Sequence, residues 1–325
     1  MPKAKREPSV MTGSRMKKGG TKQTKAAGSQ RSSHGDGKQL DLFQIQDAAQ
    51  DVPVKEDISS MEFPIFSLTK IPDTRQRVYS RGGKTLRIFP SMRGAATVFD
   101  KDILIYCISR IARSLDAGEQ VSRRVRIAVH PFLVGTQRST GGAAYERVVD
   151  MCRRLKGTTI ETNVKTSDQE RTEGFGLLEH YKVTQYTQNG KGALELELTI
   201  SDWLYRAVTD FDILTLDSDY FALTRSLDRR LYELARKHCG SKPWWVCNLP
   251  LLCEKTGSME ELRYFKKKLK AMIRRDDLPG YRVVLDETIK PNQAVFFIRD
   301  NRRIFSEARS SDKLGWVCRL LGSSV

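Results

Sequence analysis

The sequence lacks what a membrane protein or a disulfide-built protein requires. Its longest apolar stretch near a helix, "ILIYCI" (Ile103–Ile108), is far below the roughly 20 residues that cross a bilayer. The basic N-terminus is not followed by the apolar core of a secretory leader. The six cysteines, Cys107, Cys152, Cys239, Cys247, Cys253 and Cys318, include no C-x-x-C pair. They read as reduced thiols of a cytoplasmic protein. His238, Cys239, Cys247 and Cys253 are near one another in sequence, but their spacings fit no common zinc pattern. Enzyme signatures are missing too. The four histidines form no His-hydrophobic-His pair to hold the metal of a rolling-circle nicking enzyme. Tyr145 and Tyr232 therefore read as packing or surface residues, not nucleophiles. "GGKT" (Gly82–Thr85) ends like a P-loop, yet Val78 stands where the motif needs its first glycine. The expectation is a non-enzymatic protein without metal or cofactor.

Positive charge is what the chain has in excess. Its 325 residues carry 56 Lys and Arg against 39 Asp and Glu, a net charge of +17 and a pI near 9.7. Such a field attracts polyanions and says little about fold. Nucleic acid is the first partner class, and an acidic membrane surface the second. The length predicts two domains, and 39% hydrophobic residues suffice for packed cores.

Residues 1–61 are poor in aromatics and rich in Lys, Gly, Ser, Thr and Gln, a composition that predicts a disordered basic tail. "QLDLF" (Gln39, Leu40, Asp41, Leu42, Phe43) breaks that composition. It resembles the bacterial sliding-clamp-binding motif QL[S/D]LF at all five positions. The resemblance implies that the Gln39 amide hydrogen-bonds at a pocket rim while Leu42 and Phe43 fill an apolar pocket. The alternative is a short helix packing back on the first domain.

Residues 62–207 read as a first domain. "EFPIFSL" and "TLRIFPS" are extended. A helix follows Asp100, a candidate N-cap, with Leu104, Cys107, Ile108, Ile111 and Leu115 on one apolar stripe. "RRVRIAV" alternates like a strand, and "HPFLVGT" begins a short helix. A helix from Thr140 buries Ala144, Val148, Met151, Cys152 and Leu155 and ends at Gly157 as a C′ glycine. A hairpin around Asn189–Gly190 closes the domain.

Residues 208–310 repeat that order, and 311–325 read as a C-terminal tail. A helix with Leu223, Leu227, Leu231 and Leu234 on one side stops at Gly240. "WWVC" is a strand. "NLPLLCEK" is a short helix capped by Asn248, Gly257 turns the chain, and "SMEELRYFKKKLKAMIRR" (Ser258–Arg275) is the second helix. "YRVVL" and "AVFFI" form a hairpin. Helix-turn-helix plus hairpin is a winged helix, so the expected fold is α+β with two in tandem.

That second helix holds seven Lys or Arg against two Glu. Ser258 and Glu261 make an S-x-x-E capping box. Leu262, Phe265, Leu269, Met272 and Ile273 fall in one arc, the core face. Arg263, Lys267, Lys270 and Arg274 form a second stripe, with Tyr264, Lys268 and Arg275 on its flank. Such a face can enter a major groove, where Arg meets guanine and Lys meets phosphate. A charged outer face is also ordinary on a solvated helix. In the first domain Tyr145, Arg147, Arg153 and Arg154 point outward beside Glu146 and Asp150. "SRRVR" (Ser122–Arg126) and "TQRST" (Thr136–Thr140) offer further phosphate donors.

"GAATVFDKDILIYCISRI", "RSTGGAAYERVVDMCRRLKGTTIETN", "LELTISDWLYRAV", "LTLDSDYFALTRSLDRRLYELARKHCG" and "EKTGSMEELRYFKKKLKAMIRRDDLPGYRV" resemble the plasmid replication initiator protein A family, from about Phe63 to Val284. The resemblance implies a protein that binds repeated sequences at a plasmid origin, helps open the duplex and recruits host replication proteins. It implies that Ser258–Arg275 reads bases, with Thr140–Leu155 as its first-domain counterpart. It further implies backbone contacts and homodimerisation through the first domain, with the monomer active. A winged-helix transcription regulator without a replication role is the alternative. Such a regulator has no use for "QLDLF".

Overall fold

The computed structural model describes residues 53–81, 84–165, 170–186 and 193–322, all within one compact unit. The clamp-like residues Gln39–Phe43, the glycine pair of "GGKT" and the Asn189–Gly190 turn lie outside the described residues. Regular structure starts before the expected residue 62. β1 (Lys55–Asp57) runs into α1 (Ile58–Glu62), where the Asp57 carboxylate accepts from the Ser60 N–H at 2.7 Å. Glu56 and Met61 are fully buried, so this end of the expected tail belongs to the fold.

β2 (Arg77–Arg81) and β3 (Lys84–Phe89) form an antiparallel pair. α2 (Lys101–Asp116) follows, with Leu104, Cys107, Ile108 and Ile111 buried as their spacing predicts. Asp100 does not cap its N–H groups. The cap lies a turn earlier, where Thr97 Oγ1 accepts from the Asp100 N–H at 3.2 Å and Asp100 Oδ2 accepts from the Thr97 N–H at 2.8 Å. That is a reciprocal capping box.

β4 (Arg124–Ala128) and α3 (Val129–Gly135) precede α4 (Gly142–Gly157), which follows Gly141, not Thr140. All five residues expected on the α4 core face are buried. Gly157 is not a left-handed cap; its φ is not positive. It is small because Ser91 sits against it: a Cβ there would lie 2.6 Å from the Ser91 Cβ. Next come β5 (Thr159–Lys165), β6 (Glu170–Gly176), β7 (Leu178–Tyr186) and β8 (Ala193–Ile200). α5 (Asp202–Thr209) and β9 (Ile213–Thr215) link the halves.

The second half opens with a 3-10 turn at Ser218–Ala222 and α6 (Ser226–Cys239). Leu223 is buried but precedes α6 and is not on its stripe. β10 (Trp244–Asn248), α7 (Leu249–Thr256), α8 (Leu262–Arg275), β11 (Tyr281–Asp286) and β12 (Gln293–Ile298) follow. α9 (Asn301–Ser310) and α10 (Leu314–Leu321) end the described chain. The expected C-terminal tail therefore carries a helix. Val317 of α10 is fully buried with Val295 and Phe297 of β12, and Trp316 meets Trp244 edge-on.

Two three-stranded sheets have the same order, β4-β8-β7 and β10-β12-β11. Each is a helix, strand, helix, helix, hairpin unit, so the molecule is α+β with two winged helices in tandem. The four-stranded sheet β2-β3-β5-β6 is an addition to the first. Ile88 and Ile160 face each other across it, both fully buried.

The halves meet across buried charge as well as apolar surface. Ile105 of α2 belongs to the second half's core. Lys101 pairs with Glu56 and lies 3.1 Å from Glu233, which Arg230 meets at 3.0 Å. Asp102, fully buried, receives Arg229 at 2.5 Å and Arg138 at 2.6 Å. Charges this deep persist only when paired and hydrogen-bonded.

Candidate nucleic-acid interface

α7 begins where its sequence says. The Asn248 side chain accepts from the Leu251 N–H at 2.9 Å, and Pro250 occupies the first turn. Gly257, at φ +73°, ends it in the left-handed region that glycine enters without a Cβ penalty. The next helix starts three residues later than the capping box predicts. The Ser258 N–H closes onto the Cys253 carbonyl at 3.3 Å, so Ser258 completes the C-terminal cap of α7 and does not open the next helix. Ser258 Oγ accepts only from the Glu260 N–H, at 3.4 Å. Glu261 stands at the cap position without a side-chain cap; its carboxylate pairs with Arg263 at 2.8 Å.

From Leu262 the periodicity holds. Phe265, Leu269 and Met272 are buried, and Ile273 packs beside them. Leu262 is 41% exposed, because it opens the helix beyond the edge of the core. On the outer side the cations fall into two groups. Lys267 and Arg274 are exposed and make no ion pair with any described residue. Arg263 is exposed with its guanidinium 4.6 Å from the Tyr264 ring centroid.

The second group is engaged inside the molecule. Lys270 meets Glu287, on the turn between β11 and β12, at 2.7 Å. Lys266, absent from the predicted stripe, meets the same carboxylate at 2.6 Å. Hydrogen bonds from these two lysines pull the Glu287 carboxyl down to about 2. Lys268 pairs with Glu260. Arg275 turns inward to Asp228 of α6 and to Asp277 at 3.0 Å, so its predicted outward role is corrected. Its position flanks the core, and Asp228 is nearly buried there.

The counterpart α4 offers less. Arg147 is exposed and Tyr145 is half-buried against the core. Arg154 does not point outward. Its guanidinium grips the Asp100 carboxylate through two 2.7 Å hydrogen bonds. Arg153 is exposed but pairs with Asp150 at 2.9 Å. Of the expected phosphate donors, Arg123 meets Glu179 at 2.7 Å and Arg138 is committed to Asp102. Sequence alone could not distinguish Arg123, Arg138 and Arg154 from free arginines, since their partners lie 36 to 56 residues away in the chain.

Among the described residues no group of three or more His, Cys, Asp or Glu is placed to hold a metal ion. His238 stacks on Trp245, and Cys239 lies against the Phe296 carbonyl. Burial pushes the thiols of Cys107, Cys152 and Cys239 up to about 12, where they are unreactive. Among the described residues no helix is long and apolar enough to cross a membrane.

The chain matches the family Replication initiator protein A over residues 55–283. It belongs to the replication initiator protein A family. This initiator is 36% identical over 248 residues to a "Putative replication protein" of Wigglesworthia glossinidia brevipalpis, spanning 76% of this chain and 90% of the relative. Its fold resembles domains 2 and 3 of RctB in two crystal structures. One, a selenomethionine derivative, has a TM-score of 0.58 at 14% identity, covering 74% of this chain and 98% of that one. The other has a TM-score of 0.52 at 15% identity, covering 74% and 97%. At these identities the likeness is one of fold. The match carries the initiator family across both winged helices, from β1 into β11.

Proposed function

We propose that this replication initiator binds double-stranded DNA at repeated origin sequences, with α8 in the major groove as its main reading helix. The observation that carries this is the α8 outer face. Arg263, Lys267 and Arg274 are presented to solvent by a helix whose opposite face is locked into the core. α8 is the second helix of a helix-turn-helix, the element that docks in a major groove. Tyr264 and Lys268 flank that face; Arg147 of α4 gives the first domain a weaker backbone contact. Tyr145, Arg154, Lys270 and Arg275 are supporting residues in this reading, because each is packed or paired.

The protein acts without catalysis, cofactor or metal, in the cytoplasm. It opens the duplex beside the repeats and recruits host replication proteins, the sliding clamp among them, through Gln39, Leu40, Asp41, Leu42 and Phe43. Self-association runs through the first winged helix, residues 62–207; the second extends from 208 through α10. Footprinting on the DNA flanking its own gene tests this. Protections spaced by about two helical turns fit paired reading domains, and an unprotected flank contradicts them. Retention of a bacterial sliding clamp by the full chain, lost in Leu42→Ala/Phe43→Ala, separates this role from transcription regulation. Supercoiled origin DNA with a divalent metal should stay supercoiled; relaxation would reveal a nicking enzyme.

A further inference from the structure

The turn that ends the second wing holds a carboxylate where a DNA-binding surface would ordinarily carry cations. Glu287 accepts from Lys266 at 2.6 Å, from Lys270 at 2.7 Å and from the Asn292 amide at 3.4 Å. The lysines are four residues apart and therefore adjacent on one side of α8. Both donate to one exposed anion, as they would to a phosphate.

The turn is also braced. Asp286, nearly buried, accepts from the Thr288 N–H at 3.0 Å and its hydroxyl at 2.6 Å. Arg319 of α10 reaches Asp286 at 2.8 Å and Thr288 Oγ1 at 2.6 Å. On the other side the Asn292 carbonyl accepts from the Leu249 N–H at 2.8 Å, at the start of α7. Both neighbours of the Glu287 contact are thus anchored to helices. Lys267 and Arg274, by contrast, have no such escort among the described residues.

We infer that Glu287 is an internal stand-in for a DNA phosphate, holding Lys266 and Lys270 until a correctly seated duplex displaces it. The inference rests on the reading of α8 as the DNA-facing helix. Binding to DNA of arbitrary sequence draws almost wholly on phosphate neutralisation. Two escorted lysines therefore subtract directly from non-specific affinity. A specific complex has base contacts to offset the exchange of one carboxylate for phosphates. Glu287 in this way widens the gap between origin and bulk DNA. In the wild type, Lys266 and Lys270 contact phosphate on the origin repeat and remain on Glu287 when the duplex is scrambled.

The test is filter binding of the full-length protein, as wild type and Glu287→Gln, over a range of salt. The probes are the footprinted repeat and a scrambled duplex of equal length. Each released phosphate contact adds about 0.9 to the slope of log affinity against log salt. Glu287→Gln should steepen the scrambled-duplex slope by roughly 1.8, for two added contacts, and leave the origin slope unchanged. Adding Lys266→Gln and Lys270→Gln should return the scrambled slope to its wild-type value. An unchanged scrambled slope overturns the inference. So does an equal steepening on both duplexes, which is only net charge, or a loss confined to the origin duplex, which makes Glu287 a base contact. Failure of the parent reading looks different: the wild type then fails to distinguish the two duplexes at any salt. A thermal melt of each variant separates these results from misfolding.

Discussion

His238 stacks on Trp245 with ring centroids 4.2 Å apart, and its Nε2 lies 3.5 Å from both the Lys255 ammonium and the Glu62 carboxylate. Burial, with Lys255 adding to it, pushes the imidazole down to about 4 from 6.5. Glu62 opposes that shift but is itself shared with Lys237 and Lys255; burial would raise its carboxyl, and their hydrogen bonds prevail and hold it at about 2. The sign for His238 follows from proton uptake. Between pH 6.5 and 4 the unfolded chain binds a proton that the folded chain refuses. Stability is complete above 6.5 and falls as pH falls through that window. The side chain is still 23% exposed, so solvent screening keeps the effect below about 3 kcal/mol. The Glu62 contribution is lost lower, between about 4.5 and 2. Urea unfolding at pH 7 and pH 5 should show the wild type losing stability and His238→Gln losing clearly less. An identical loss in both would clear His238 of the role.

At the scale of elements, α4 is held to the first sheet's connecting loop by an absence of atoms. Gly157→Ala would place a methyl 2.6 Å from Ser91 Cβ and 2.9 Å from its Oγ. Overpacking of this kind costs about 1–3 kcal/mol. A lowered Tm, recovered in part by the double change with Ser91→Gly, is the expected result; no change in the single variant would mean that the loop yields freely. The same position shows what the sequence could and could not convey. Gly157 at the end of an apolar period looked like a left-handed cap, since local pattern registers a glycine but not the neighbour 66 residues away. Patterns with local causes were legible: the buried stripes of α2, α4 and α8, the Asn248 cap, the Gly257 turn, and the strands of both hairpins. What depended on distant partners was not. The pairing of β3 with β5, the packing of α10 on β12 and the inward turn of Arg154 are all set by residues far along the chain. For the candidate site the basic stripe was legible from angle alone. Its division into free and escorted cations was not, because Glu287 lies on another element.

Across the whole molecule, the two winged helices share more than a linker. β1 pairs with β9 of the connection. Asp102 of α2 holds Arg229 of α6, and Lys101 sits between Glu56 and Glu233. Removing one member of such a buried pair leaves the other without compensation, at about 3–5 kcal/mol. Asp102→Ala should therefore lower the stability of both halves together, in one calorimetric transition. Two transitions, with only the first-half one displaced, would show the halves to be independent. On the proposed reading, this pairing sets where α4 and α8 stand relative to one duplex. The central claim is that the outer face of α8 meets DNA. The most direct measurement is the affinity of Arg263→Ala/Lys267→Ala/Arg274→Ala for the footprinted repeat across a salt series. Loss of the two plainest phosphate contacts, Lys267 and Arg274, should flatten the log–log slope by roughly 1.8. Loss of Arg263 should cut discrimination against a scrambled duplex by about 1–3 kcal/mol. A triple variant that folds and binds with wild-type affinity and slope would contradict the account.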